Sequence, residues 1–107
     1  GKIHLNVDKT MACGLIMSEL VSNAYKHGFP GELFGKIVIM VKCDADDRIT
    51  LTVSDSGVGF PKDFDIESVS SLGWDIVKSL TKDKLKGSIS VHQNERTEVS
   101  IEFLKDG

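Results

Sequence analysis

"SELVSNAYKHGFPG", residues 18–31, decides how the rest of the chain is read. It closes an amphipathic helix in which Ile16, Leu20 and Ala24 fall on one line. Glu19, Asn23, Lys26 and His27 sit at offsets 0, 4, 7 and 8, one stripe of a 3.6-residue helix. A helix otherwise rich in Leu, Ile, Val and Met gives that stripe to an acid, an amide and two basic groups. A solvated face bearing side-chain pairs one turn apart has the same pattern, so the neighbouring segments must decide what the stripe is for.

Working outward, the pattern predicts a helix over 9–28, with Asp8 as its cap and Gly28 as its stop. "KIHLNV" (2–7) reads as a short strand before it. "KIVIMVKC" (36–43) is almost continuously apolar and reads as a central strand. "DADD" (44–47) turns the chain into "RITLTVSD" (48–55), which alternates with period 2. A loop over 56–71 leads to a second helix over 72–82, with Leu72, Ile76 and Leu80 in line. "GSISVHQN" (87–94) and "TEVSIEFL" (97–104) are strands joined by a tight connection. The order β–α–β–β–α–β–β predicts an α/β (α+β) two-layer sandwich: a mixed, mostly antiparallel sheet with helices on one face.

Parity adds a chemical statement. Ile49, Leu51 and Val53 are the apolar residues of 48–55, and Asp55 continues their odd series. Val99, Ile101 and Phe103 do the same in 97–104, and Thr97 opens that series. Two polar side chains at strand ends therefore point toward the helix layer. A buried carboxylate needs hydrogen-bond partners, from the protein or from a ligand; an Asx turn is the simpler reading of Asp55. "DSGVGF" (55–60) follows directly, and Gly57 and Gly59 allow close approach to the backbone. It is neither the three-glycine dinucleotide loop nor a P-loop, which requires GK[ST].

Bulk properties narrow the classes. One domain is expected from 107 residues. A net charge of −3 argues against nucleic acid as a partner. Cys13 and Cys43 form no CxxC pair and fit no metal or disulfide pattern, so a reduced, cytoplasmic setting is expected. No apolar run reaches the length of a membrane span, and no signal peptide is visible. The abrupt "GKIHLNV" start suggests a domain excised from a longer protein, one that could itself be membrane-anchored. His4 and His92 read as structural or surface residues, and Trp74 as packing at the start of its helix.

In combination, "ELVSNAYKHG", "VSDSGVGF", "SLGWDIV" and "RTEVSIEF", in this order, resemble the ATP-binding domain of the gyrase, heat-shock chaperone, histidine kinase and mismatch-repair superfamily, the Bergerat fold. "LIMSELVSNAYKHGFP" and "SLGWDIVKSLTKDKLKGSISV" look most like sensor histidine kinases of the HWE-like class. The resemblance covers nearly all of 1–107, as a single catalytic domain.

That resemblance implies ATP and Mg²⁺ as cofactors and a role for each matched residue. Asn23 matches the asparagine that ligates Mg²⁺, and Glu19 the glutamate that holds a metal-bound water or orients the attacking group; these two are the catalytic candidates. Lys26 and His27 would lie by the phosphates. Asp55 would accept the adenine amine, with Thr97 behind it and Gly57 and Gly59 against the base. Leu72 and Gly73 match the second glycine box at a helix N-terminus, where free N–H groups favour phosphates. Val69 and Ser71 stand where that box usually has further glycines, Glu95 and Arg96 where the third box has them, and 61–71 is short for a lid. No phosphoacceptor helix pair accompanies the pocket. The implied reaction is therefore transfer of the γ-phosphoryl group to a histidine on a separate dimerisation domain, with a response regulator downstream and no membrane insertion of this domain. An anti-sigma-factor serine kinase and a degenerate, nucleotide-free interaction module are the alternatives.

Overall fold

The structure, a computed structural model, describes residues 5–28, 35–56, 71–93 and 96–105, and of 26–28 the backbone alone. The described elements run α1 (Val7–Gly28), β1 (Ile37–Cys43), β2 (Arg48–Asp55), α2 (Leu72–Asp83), β3 (Ser88–Gln93) and β4 (Thr97–Leu104). The strands form one antiparallel sheet in the order β1-β2-β4-β3. The two-layer α/β sandwich is as expected, and the described sheet is antiparallel throughout.

The core lies between one sheet face and the two helices. Ile16 of α1 and Val77 of α2 meet Ile49 and Leu51 of β2 and Ile101 of β4, all fully buried, with Leu85 closing the end. Each such burial is worth about 1.5–3 kcal/mol relative to exposure. Burial in β4 alternates through its whole length, the signature of a strand with one packed face. The thiol of Cys13 is half-buried beside this core. Burial holds its pKa above the ordinary value, against a smaller opposing pull from Lys9, so Cys13 is a packing residue rather than a nucleophile.

Four expectations need correction. The strand over 2–7 does not form where it can be seen: Leu5 and Asn6 are irregular and Val7 is already helical, while residues 2–4 lie outside the described residues. The helix is capped by Asn6, not Asp8. Asn6 Oδ1 accepts from Lys9 N at 2.8 Å and its carbonyl accepts from Thr10 N at 3.0 Å. Asn and Asp cap equally well, and the earlier start places Lys9 where its buried Nζ donates to the carbonyls of Leu104 (3.1 Å) and Lys105 (2.9 Å) at the end of β4.

Among the described residues β1 is an edge strand, not a central one. Ile39 and Val41 are 48 % and 49 % exposed although they share the helix-facing side with Val53 and Leu51, so the described helices leave β1 largely uncovered. On α2 the buried stripe is Trp74, Val77 and Thr81 rather than Leu72, Ile76 and Leu80. Ser71 sets this phase: its hydroxyl accepts from Trp74 N at 3.3 Å and caps the helix.

Asn6→Ala should lower the unfolding free energy in urea by about 1 kcal/mol, whereas Asp8→Ala should cost only a few tenths. The reverse order of effects would restore Asp8 as the cap.

Candidate functional site

The end of the sheet where β2 stops and β4 starts carries the polar residues singled out by parity. Asp55 and Thr97 are direct cross-strand partners. They are 6 % and 4 % exposed, so both side chains face the helix layer as expected. An Asx turn at the surface does not describe Asp55.

A narrow cleft of only about 10 Å³ lies beside this pair. Its apolar walls are Leu20 and Ala24 of α1, Val53 and Val99 of the central strands and Trp74 of α2, and its polar members are Asn23 and Asp55. Asn23 lies on the C-terminal half of α1, one turn beyond Glu19, and is buried. Its amide nitrogen has no hydrogen-bond partner among the described residues. A buried polar atom left unpaired costs about 1–3 kcal/mol, and such orphans concentrate where a ligand completes the set.

The first turn of α2 is pressed against the same side of α1, and Gly73 makes this possible. A Cβ added at 73 would lie 2.7 Å from Glu19 Oε2 and 3.6 Å from Asn23 Oδ1. Two hard oxygen donors, one from each of two successive turns of α1, thus converge on a helix N-terminus, where unpaired N–H groups and the helix dipole favour negative charge. Carboxylate and amide oxygens of this kind suit Mg²⁺, which takes one or two protein ligands and fills its octahedron with water and phosphate. Among the described residues no three His, Cys, Asp or Glu side chains converge as a complete protein cage.

The stripe is therefore not a row of solvated pairs at Glu19 and Asn23. Lys26 and His27 continue it along the helical backbone, but their side chains, together with Gly57, Gly59 and residues 61–70 of the expected lid, lie outside the described residues. Leu72 is 78 % exposed and is not among the described residues that line the cleft. His92 is exposed on β3, opposite Glu98. The apolar wall was not foreseen as part of a site. Its signal was present in the parity that marked Asp55 and Thr97, since Val53 and Val99 are their same-face neighbours.

Gly73→Ala should change the unfolding free energy by less than about 1 kcal/mol, because the clashing atom is the mobile end of Glu19 and alanine favours the helix. The carboxylate should move instead, read as a shift in the Glu19 side-chain carboxyl resonance with backbone amides outside the α1–α2 contact unchanged. A melting transition lowered as much as by a core cavity would show that Glu19 is fixed in place.

Residues 8–107 match the family described as histidine kinase-, DNA gyrase B-, and HSP90-like ATPase. The sensor histidine kinase PdtaS of Mycobacterium tuberculosis is 34% identical over 88 residues, 81% of this chain and 17% of that protein. Blue-light-activated histidine kinase 2 of Erythrobacter litoralis is 29% identical over 80 residues, 75% of this chain and 23% of that protein. The chain thus spans less than a quarter of either relative. Among solved structures, the histidine kinase domain of the blue-light activated histidine kinase EL346 of Erythrobacter litoralis is similar with a TM-score of 0.89 at 26% identity, covering 99% of this chain and 52% of that one. With the family matched over residues 8–107, almost its whole length, the chain belongs to the histidine kinase-, DNA gyrase B-, and HSP90-like ATPases.

Proposed function

We propose that this chain is a single catalytic domain that binds Mg²⁺·ATP and donates the γ-phosphoryl group to a histidine on a separate dimerisation domain of a sensor kinase. The observation that carries the reading is the meeting of Glu19, Asn23 and the first turn of α2 beside a cleft that ends at Asp55. Its support from relatives is that both are named histidine kinases.

In this reading Asp55 accepts the exocyclic amine of adenine. A buried acceptor discriminates strongly against bases lacking that donor. Thr97, directly across the ladder, backs the same pocket, and Gly57 and Gly59 give the base access to the backbone. Leu20, Val53, Trp74 and Val99 supply the apolar walls. The N-terminus of α2 at Gly73 receives phosphate oxygens, and Lys26 and His27 add positive charge at the same end. Asn23 holds Mg²⁺ directly and Glu19 through a water; the ion supplies charge neutralisation of the phosphates. Phosphoryl transfer asks the protein mainly for position and charge stabilisation, which this arrangement provides without a covalent nucleophile of its own. The acceptor histidine belongs to the partner domain, a response regulator takes the phosphoryl group next, and the setting is the ATP-rich cytoplasm. Among the described residues no helix is long and apolar enough to cross a membrane.

Asp55→Asn should weaken ATP binding about tenfold or more in calorimetric titration while the protein stays folded, since an acceptor facing the amine becomes a donor. Unchanged affinity would remove Asp55 from the pocket. Asn23→Ala should abolish most of the Mg²⁺ dependence of binding and leave metal-free nucleotide binding largely intact. A mutant that still responds to Mg²⁺ like the wild type would place the metal elsewhere. In the direct assay, incubation with ATP and a histidine-bearing dimerisation domain should give an acid-labile, base-stable phosphoprotein. Acid-stable phosphoserine on a small partner would instead identify a serine kinase, and no measurable ATP affinity a nucleotide-free module.

A further inference from the structure

The side of α1 turned away from the sheet carries apolar residues where a surface helix carries charge. Val7, Met11, Leu15 and Tyr25 lie there, each more than half exposed, from 53 % at Leu15 to 72 % at Val7. At about 100° and 1.5 Å per residue, these four with Gly14 and Ser18 fill one sector about 100° wide and about 27 Å long, roughly opposite the buried Leu20. No residue of that sector is charged: Asp8, Lys9, Glu19 and Lys26 all fall outside it. Helices at a protein surface put their charges opposite the core, and α2 does so. Beyond its first residue, the exposed positions of α2 are Asp75, Ser79, Lys82 and Asp83. Single exposed apolar residues are ordinary, but an aligned row of four marks an interaction surface.

Gly14 is a second, separate observation on the same face. It stands inside the helix, where glycine is disfavoured relative to alanine. A Cβ added there would meet no atom within 4 Å, so no contact in this structure accounts for its absence. Gly73 is the opposite case, since a Cβ there would press on Glu19. A glycine exposed in mid-helix lets another backbone come close. The spacing says what kind of backbone. Val7, Met11, Gly14, Ser18 and Tyr25 follow at steps of 4, 3, 4 and 7 residues, the spacing with which one helix seats another at a shallow angle.

The size of the face selects the occupant. A strip about 27 Å long and about 10 Å wide projects about 270 Å². Even doubled by side-chain relief it stays below the about 800 Å² per partner of a stable free-standing complex, so a second copy meeting it from solution would be held weakly. A helix on the same polypeptide has no such difficulty, because a tether supplies an effective concentration in the millimolar range. Each curated relative has more than three-quarters of its length outside the matched segment. The position of the face agrees. Leu15 lies one turn before Glu19 and borders it on the helix surface, so a helix seated on the sector passes beside the end of α1 that holds Glu19 and Asn23.

We infer that the outer face of α1 is a docking surface for an apolar-faced helix of the dimerisation domain, seated on Val7, Met11 and Leu15 with its closest approach at Gly14; the partner's identity rests on the histidine kinase reading above. A contact of this area is transient by itself, which suits a donor domain that must reach an acceptor and leave it again.

The test uses the whole chain with the histidine-bearing dimerisation domain added in trans. Amide NMR titration without nucleotide reads docking alone, and saturable shifts are expected at Val7, Met11, Gly14 and Ser18. Met11→Gln combined with Leu15→Gln, both at exposed positions, should leave ATP affinity unchanged in calorimetry. The same pair should raise the KM of phosphoryl transfer for the dimerisation domain about tenfold, with kcat at saturation retained. Gly14→Gln should raise that KM too, with a thermal midpoint equal to or above that of the wild type, because the new side chain enters open space and favours the helix. Shifts confined to other faces, or variants whose KM matches the wild type, would overturn the docking surface and leave the kinase reading standing. Saturable shifts on this face with no transfer of phosphate would support the surface and remove the kinase reading. In sedimentation the chain alone should remain monomeric; a concentration-dependent dimer abolished by the same substitutions would overturn the assignment in favour of a second copy.

Discussion

Everything in this domain depends on the register between β2 and β4. Side chains on a strand alternate, so a slip of one residue would move Ile49, Leu51 and Val53 out of the core together. The core therefore locks the ladder, and the locked ladder sets Asp55 opposite Thr97 at its end. The polar pair is held by the same interdigitation that buries Ile101 and Leu51, with no local device required. A site built this way is as rigid as the core beside it.

The helix layer adds the second half by close approach. α1 and α2 touch where Gly73 faces Glu19 and Asn23, and the missing Cβ brings a helix N-terminus against two oxygen donors. The apolar positions of α1 seat Ile16 and Leu20 on the sheet, which turns the Glu19–Asn23 stripe sideways toward α2 instead of outward. Core packing and site assembly are thus the same event seen from two sides of one helix.

How much of this is legible in the sequence differs with the kind of signal. The β2 and β4 boundaries, the inward direction of Asp55 and Thr97 and the Ile16–Leu20–Ala24 line follow from strict periodicity backed by burial, and the structure has them as read. Position within a sheet is not a periodic property. β1 reads as central because it is apolar on both faces, yet among the described strands it lies at the edge. The start of α1 rests on a choice between two equally good caps two residues apart, settled by the distant carbonyls that Lys9 reaches. The phase of α2 is settled by Ser71, and the contact of Gly73 with Glu19 is tertiary, with no local trace. Four polar functions were legible as a pattern along α1; that two of them meet another helix is a fact of packing.

The buried ammonium of Lys9 has a mechanical meaning. It fastens the first turns of α1 to the carbonyls of Leu104 and Lys105, ninety-five residues and more along the chain. The backbone at 104–105 and the first turns of α1 are therefore joined directly, through one side chain and two hydrogen bonds. The same continuous helix of 22 residues carries Glu19 and Asn23, so the end of β4 and the candidate site are anchored on one element.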